Sequence, residues 1–360
     1  MESDSRIEET LLRAKMKAAV LYGREDVRIE SVDLPRLEAG DVLLRTKVAL
    51  TCGTDAKVFR RGYHARMIVP PAVFGHEVAG VVEDVGPGSN GIQPGTPVVA
   101  ANSAPCGECH YCRHEMPNLC DDLLFWNGAY AEFARIPARV VRKNLLPLTD
   151  GVTFHEAAMV EPLACVVRGV DESWIGRGQS VAVIGAGPIG LMFVALARMR
   201  GAHVIVAARG RERLDKAVEL GAEATVEARP GHDLAELLRR RSPDGRGADV
   251  VIEAVGKPET CEAAVRAVRK GGVVNLFGGC PSDTRIGIDS QRLHYQELTI
   301  KSTFHHTPDS VRKAFRLIAD GHIDPKAFIT AEAPLEQLPR ILGQMARGTG
   351  GLKTAILPWG

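Results

Sequence analysis

Residues 180–207 leave this chain little choice of fold. Ser180-Val-Ala-Val-Ile184 is an apolar run of strand length, Gly185-Ala-Gly187-Pro188-Ile189-Gly190 is a turn, and residues 191–199 continue as a helix. His203-Val-Ile-Val-Ala207 then reads as a second strand. A G-x-G-x-x-G sequence alone is weak evidence. Between a strand and a helix, with another strand at this distance, it is the opening βαβ unit of a dinucleotide-binding sheet. The glycines permit a tight turn and let a pyrophosphate approach the helix N-terminus, where free N–H groups and the dipole favour an anion. Strand candidates at 224–226, 249–253 and 272–277 extend the pattern, so an α/β, doubly wound parallel sheet is expected.

The second strand carries the cofactor choice. A carboxylate at its end would bind a ribose 2′-hydroxyl, but that position is Ala208, followed by Arg209, Arg211 and Arg213. A carboxylate would repel a 2′-phosphate, whereas guanidinium groups bind one bidentately. NADP is therefore expected over NAD, with one of the arginines serving only the start of the next helix. The nucleotide contacts are expected from Gly185, Gly187, Pro188, Ile189, Gly190, Ala208, Arg209, Arg211 and Arg213, joined by Val255 and Phe277.

From residue 17 to about 150 the texture differs: short strands broken by Gly/Pro turns, as at 41–49, 77–85 and 97–100, with Pro70-Pro71 and Pro94-Gly95 between them. This reads as a mostly antiparallel β domain. Cys106-Gly-Glu-Cys109-His-Tyr-Cys112 followed by Cys120 is its strongest motif, since four thiolates at this spacing close a tetrahedral zinc. Disulfides at such close spacings would be strained. Cys52, His76, Glu77 and Glu161 form a looser set drawn from three places in the chain. Thiolate, imidazole and carboxylate suit a four-coordinate zinc, and scattered ligands suit a catalytic site with an open position.

Composition narrows the function classes. At 360 residues the chain is long for one core and comfortable for two. Lys+Arg 45 against Asp+Glu 44 provides no basic field, so neither nucleic acid nor an acidic membrane is an expected partner. Eight cysteines, half of them within 106–120, point to metal in a reducing compartment. Residues 1–17 have no apolar signal core, and the uncharged stretch 179–197 is interrupted by glycines, so a cytoplasmic protein is expected. Residues 7–15 could form a short helix in a polar N-terminal extension (1–15) to which no function is given.

The set Cys52-Gly-Thr-Asp55, Gly75-His-Glu-x-x-Gly80, the four-cysteine lobe, Glu161-Pro-Leu and Gly185-x-Gly-x-x-Gly190 resembles the zinc-dependent medium-chain dehydrogenase/reductase family. The branch it resembles is that of the sorbitol, polyol and threonine dehydrogenases. The resemblance covers 16–360. It implies a GroES-like, mostly-β catalytic domain over 16–165, completed by 304–360, and a Rossmann domain over 166–303, with the active site in the cleft between them. It implies two zinc ions per chain, one structural at the four cysteines and one catalytic. Cys52, His76, Glu77 and Glu161 become the catalytic ligands, Glu161 directly or through water. Asp55 becomes the carboxylate that orients His76, and Thr54 the hydroxyl that takes the substrate proton. A homodimer or homotetramer is the family habit.

There are three departures from the family pattern, one of them a pair of residues. Lys57 stands where many relatives have a proton-passing His, and lysine's ordinary pKa is too high for easy relay at neutral pH. His305-His306 replaces an Arg-Tyr pair at the substrate cleft. Ala208 replaces the NAD-type carboxylate. The expected substrate is a small alcohol or ketone, first a polyol or sugar-derived secondary alcohol, with an amino-alcohol of the threonine type second. A non-catalytic nucleotide-binding protein of the same fold is the alternative outside enzymes. Substrate contacts are expected from His305 and His306, and from Phe59 and Trp126, which could equally be core.

Overall fold

A computed structural model describes residues 15–64, 67–88 and 91–360. The helix expected over 7–15 lies outside the described residues, apart from Lys15, which opens the first strand. The chain divides into two compact units, one formed by 1–164 with 307–360 and the other by 165–306.

In the first unit, β1 (Lys15–Gly23) and β2 (Asp26–Asp33) form an antiparallel hairpin, and β1 also pairs β4 (Ala72–Val73). The main sheet is built around β3 (Val42–Leu50), whose apolar residues are buried along nearly its whole length. Helix α1 (Gly53–Arg61) follows at once. β3 pairs antiparallel with β5 (Val78–Val85) from Val42↔Val85 to Ala49↔Val78. That register brings the turn ahead of β5, with His76 and Glu77, alongside the end of β3, and Leu50 N–H donates to Glu77 O at 3.0 Å. β6 (Pro97–Ala100) continues the sheet. β7 (Ser103–Ala104) and β8 (Leu124–Phe125) pair as a short clasp that closes the four-cysteine segment. β9 (Phe133–Ile136) joins β3, and β10 (Leu145–Pro147) joins β6. The core includes Leu44, Phe74, Tyr130, Ile136, Leu338 and Leu342.

Helix α2 (Val160–Glu172) leads into the second unit. There β11 (Ser180–Ile184), β12 (His203–Ala208), β13 (Ala224–Glu227), β14 (Ala248–Glu253), β15 (Val268–Leu276) and β16 (Thr299–Lys301) form one parallel sheet in the order β13-β12-β11-β14-β15-β16. Counted from β11 this is the 3-2-1-4-5-6 doubly wound order. Helices α3 (Pro188–Met199), α4 (Arg211–Glu219) and α5 (Pro258–Ala267) are its crossovers. α3 starts close against β11 because Gly190 has no side chain: a Cβ there would stand 1.8 Å from the carbonyl oxygen of Gly185. Ala182, Ile184, Ile205, Val251 and Ala264 belong to a separate core.

The chain then returns to the first unit through α6 (Pro308–Ala319), where Thr307 caps the helix through a reciprocal bond with Ser310. β17 (Ile329–Pro334) and β18 (Lys353–Leu357) run parallel, and β18 pairs antiparallel with β3 at Ala355↔Leu50. The sheet order is β10-β6-β5-β3-β18-β17. Unit boundaries fall one residue before the expected first and three after the expected second. Among the described residues no helix is long and apolar enough to cross a membrane.

Candidate active site

Cys52 sits where β3 gives way to α1, and it is the helix N-cap. Its Sγ accepts from Thr54 N–H at 3.4 Å, and the Asp55 carboxylate accepts from Cys52 N–H at 2.8 Å. This is a capping box with a thiol in the place usually held by Ser or Thr. Asp55 faces a second group besides the cap. Its other oxygen, Oδ1, lies 3.2 Å from His76 Nδ1, with both side chains buried. The opposite ring nitrogen, Nε2, is thereby left as the atom that could ligate a metal. Burial works against a charge on His76, but Asp55 and then Cys52 outweigh it and hold the imidazole pKa well above the usual 6.5.

Donor atoms of Cys52, His76 and Glu77 all lie within 4.8 Å of one another, near enough for one ion to take all three. Glu77 is also engaged elsewhere. Lys353 Nζ donates to both of its carboxylate oxygens, at 2.7 Å to Oε1, and to Thr51 O at 3.0 Å. Glu77 opposes the burial cost on Lys353 and holds the ammonium charged. Glu161, near the start of α2, lies outside the circle formed by those three donors. Burial pushes its carboxyl up to about 7; His76 and Lys353 pull it down and Glu77 adds to the rise. Thiol, imidazole and buried carboxyls thus lie close together, with the Lys353 ammonium beside Glu77. Such a donor set, rich in potential negative charge, fits a divalent ion of the zinc type.

The four-cysteine lobe passes a stricter test. Sγ atoms of Cys106, Cys109, Cys112 and Cys120 lie within 4.8 Å of one another, with Cys106–Cys120 at 3.4 Å and Cys106–Cys112 at 3.9 Å. A tetrahedron with Zn–S bonds of about 2.3 Å has edges of about 3.8 Å. All four cysteines are free thiols. Backbone N–H groups of Glu108 and Cys109 point at Cys106 Sγ, as they would at a thiolate. Hydrogen bonds from the backbone lower Cys109 to about 6, while burial raises Cys120 to about 12.

In the second unit Gly187 caps α3 with no side chain over its first N–H groups, and Pro188 follows. A Cβ at Gly187 would have the Arg213 guanidinium 3.8 Å away, and one at Gly185 would meet Val255 at 2.8 Å. The structure therefore brings Arg213 and Val255 to the glycine turn. Arg211 is tied to Asp215 at 2.8 Å in an exposed i,i+4 pair, the bland role expected for one of the arginines. Ala208 is buried at the end of β12. Phe277 meets Phe193 edge-on at 5.0 Å, so part of its ring serves packing.

The remaining expected residues divide. Thr54 is half-buried in the first turn of α1, and Lys57 lies one turn further along. His305 has a left-handed backbone (φ 67°), and its ring lies 4.0 Å from that of the buried His306. Arg168 Nη1 holds this segment through Phe304 O at 2.6 Å and His305 O at 3.3 Å. Phe59 and Trp126 both belong to the core cluster of the first unit, and Trp126 Nε1–H donates to Ala101 O at 2.9 Å.

Two site residues escaped the sequence reading. Lys353 left a signal, since strand alternation in Lys353-Thr-Ala-Ile-Leu357 puts a lysine on the face shared by Ala355. Tyr130, buried beneath the candidate metal ligands, left none.

The first unit contains the match to the alcohol dehydrogenase GroES-like domain, over residues 38–147, and residues 188–320 match the zinc-binding dehydrogenase domain. D-xylulose reductase A of Aspergillus oryzae is 30% identical over 347 residues, covering 94% of this chain and 95% of its own. L-threonine 3-dehydrogenase of Pyrococcus abyssi is 33% identical over 325 residues, covering 88% and 90%. A protein of Sinorhizobium meliloti 1021, solved as a candidate zinc-binding dehydrogenase with NADP bound, superposes with a TM-score of 0.87 at 30% identity, covering 96% and 100%. The chain belongs to the zinc-dependent medium-chain dehydrogenases of the alcohol dehydrogenase superfamily. It is a zinc-dependent alcohol oxidoreductase using a nicotinamide cofactor.

Proposed function

We propose that this enzyme moves hydride between NADP(H) and a secondary alcohol or ketone of a polyol or sugar-derived substrate. The observation that carries the reading is the gathering of Cys52, His76 and Glu77 donor atoms, with Asp55 fixed on His76. Cys52 and His76 would hold the catalytic zinc, Glu77 being shared with Lys353 and Glu161 standing by. When bound, zinc supplies a Lewis acid that lowers the pKa of the substrate hydroxyl.

The chain's own residues do the rest. Asp55 keeps the imidazole turned with Nε2 outward. Thr54, its N–H spent on Cys52 Sγ, has its hydroxyl available to take the substrate proton. Lys57 follows on the same helix, in the place of the usual relay imidazole. The glycine turn at 185–190 seats the pyrophosphate, and Arg213, with Arg209, would face a 2′-phosphate. Among the described residues neither arginine is in an ion pair. The four-cysteine lobe would hold a second, structural zinc.

The test is a screen of polyols, sugars and amino-alcohols with the zinc-loaded enzyme, with NADP and NAD side by side. Turnover of a polyol with NADP supports the proposal. Preference for NAD defeats the arginine argument, and preference for an amino-alcohol defeats the substrate class.

A further inference from the structure

The candidate ligands come from two segments, the end of β3 running into α1 and the turn before β5. Besides Lys353, a second side chain outside both, Tyr130, touches each of them. Tyr130 is fully buried, and its ring lies so close under the turn that a Cβ on Gly75 (φ 95°) would stand 2.6 Å from it. Tyr130 N–H donates to Phe74 O at 2.9 Å, and Ala129 N–H to Gly75 O at 3.1 Å. The Phe74 ring meets the tyrosine edge-on at 5.1 Å. The residue before His76 is therefore seated on this ring.

The hydroxyl points at the other segment. It lies 2.5 Å from Asp55 Oδ2 and 3.0 Å from Leu50 O, two residues ahead of Cys52. A phenol has one proton to donate, and the shorter contact to a carboxylate takes it. Burial and the neighbouring Asp55 raise the phenol pKa well above 10, so it stays a donor at any working pH. The carboxylate of Asp55 then has three named partners: Cys52 N–H and Tyr130 O–H on Oδ2, and His76 Nδ1 opposite Oδ1. Without the phenol, Oδ2 keeps only the Cys52 amide.

We propose that Tyr130 is a positioning residue of the catalytic metal centre, its hydroxyl locking Asp55 so that His76 is presented to the ion in one orientation. This rests on the reading that Cys52 and His76 hold zinc. Partners that orient a metal-bound imidazole typically change metal affinity by about 10- to 100-fold when lost.

Tyr130→Phe keeps the ring under Gly75 and removes only the donor. In the full-length protein, chelator competition should show catalytic zinc held about tenfold or more weakly, with the four-cysteine zinc held as in the wild type. The visible bands of cobalt placed in the catalytic site should shift. Asp55→Asn should cause a comparable loss, and Tyr130→Phe/Asp55→Asn should lose little more than either alone, because the phenol acts through the carboxylate. Wild-type affinity and cobalt bands in Tyr130→Phe, with Asp55→Asn impaired, would overturn the proposal and leave Tyr130 as packing. Fully additive losses would overturn it too. If the wild type binds only one metal and Cys52→Ser leaves that count unchanged, the metal reading itself fails, and this proposal with it.

Discussion

Lys353 Nζ lies 2.7 Å from Glu77 Oε1, and the two side chains are 2% and 0% exposed. Neither charge has water to fall back on, so each depends on the other. Removing one partner of a buried pair typically costs about 3–5 kcal/mol, because a buried charge is left uncompensated. Lys353→Met should lower unfolding free energy by that order in urea titrations. Glu77→Gln/Lys353→Met should recover most of the loss while metal binding stays impaired. A single mutant as stable as wild type would mean that Glu77 is protonated in the native protein.

Glu161 makes the zinc-free protein sensitive to pH. The unfolded chain releases this proton near 4.5, whereas burial keeps it on the folded carboxyl up to about 7. Between those values the folded state binds more protons, so stability falls as pH rises from 4.5 to 7 and levels off above. The loss is on the order of 3 kcal/mol. Glu161→Gln should remove that falling limb from a series of denaturant titrations, and an unchanged limb would assign it to another group.

Cofactor choice should follow Arg213. Its guanidinium stands beside the glycine turn, and a hydrogen bond to a charged group is worth about 1.5–3 kcal/mol. Arg213→Ala should lower kcat/KM for NADP by about 10- to 100-fold with NAD little affected. Ala208→Asp should work in the opposite sense, gaining NAD and losing NADP. Equal effects on both cofactors would show that Arg213 serves the fold.

The cysteine lobe should account for one zinc per chain. Cys120→Ser should halve the zinc content and lower the melting temperature, since the segment between β7 and β8 has little apolar core of its own. Burial holds Cys120 at about 12, so metal entry must displace its proton. Zinc uptake by the stripped lobe should therefore weaken as pH falls. Uptake independent of pH would argue against thiolate ligation.

Legibility varied with the kind of signal. The parallel sheet and its crossovers could be read because strand, glycine turn and helix follow within a few residues, each with its own period. The four-cysteine lobe was legible for the same reason. Cys52, His76 and Glu77 could be grouped by their ligand chemistry and by the family pattern, but the register of β3 against β5, which brings them together, follows from no local rule. Phe59 and Trp126 were open to misreading because an aromatic in sequence does not declare whether it faces a core or a cavity. Helix α1 was missed because its cap is a cysteine, a residue that capping rules do not favour. Tyr130 and Lys353 lie 75 residues from Asp55 and 276 from Glu77, separations that only the folded sheet spans.

That last separation has a consequence for how the protein is made. The whole of 165–306 lies between Glu77 and Lys353, and it has a core of its own. On the ribosome the nucleotide-binding unit emerges and can close before β18 exists. Glu77, which depends on β18 for its counter-ion, must wait through that interval in a half-built sheet where β3 has β5 and β9 beside it but Ala49 and Leu50 still lack β18. The candidate metal site is thus completed only after the whole nucleotide-binding unit has been made, and a nascent chain stalled before residue 353 would lack the Lys353 ammonium beside Glu77.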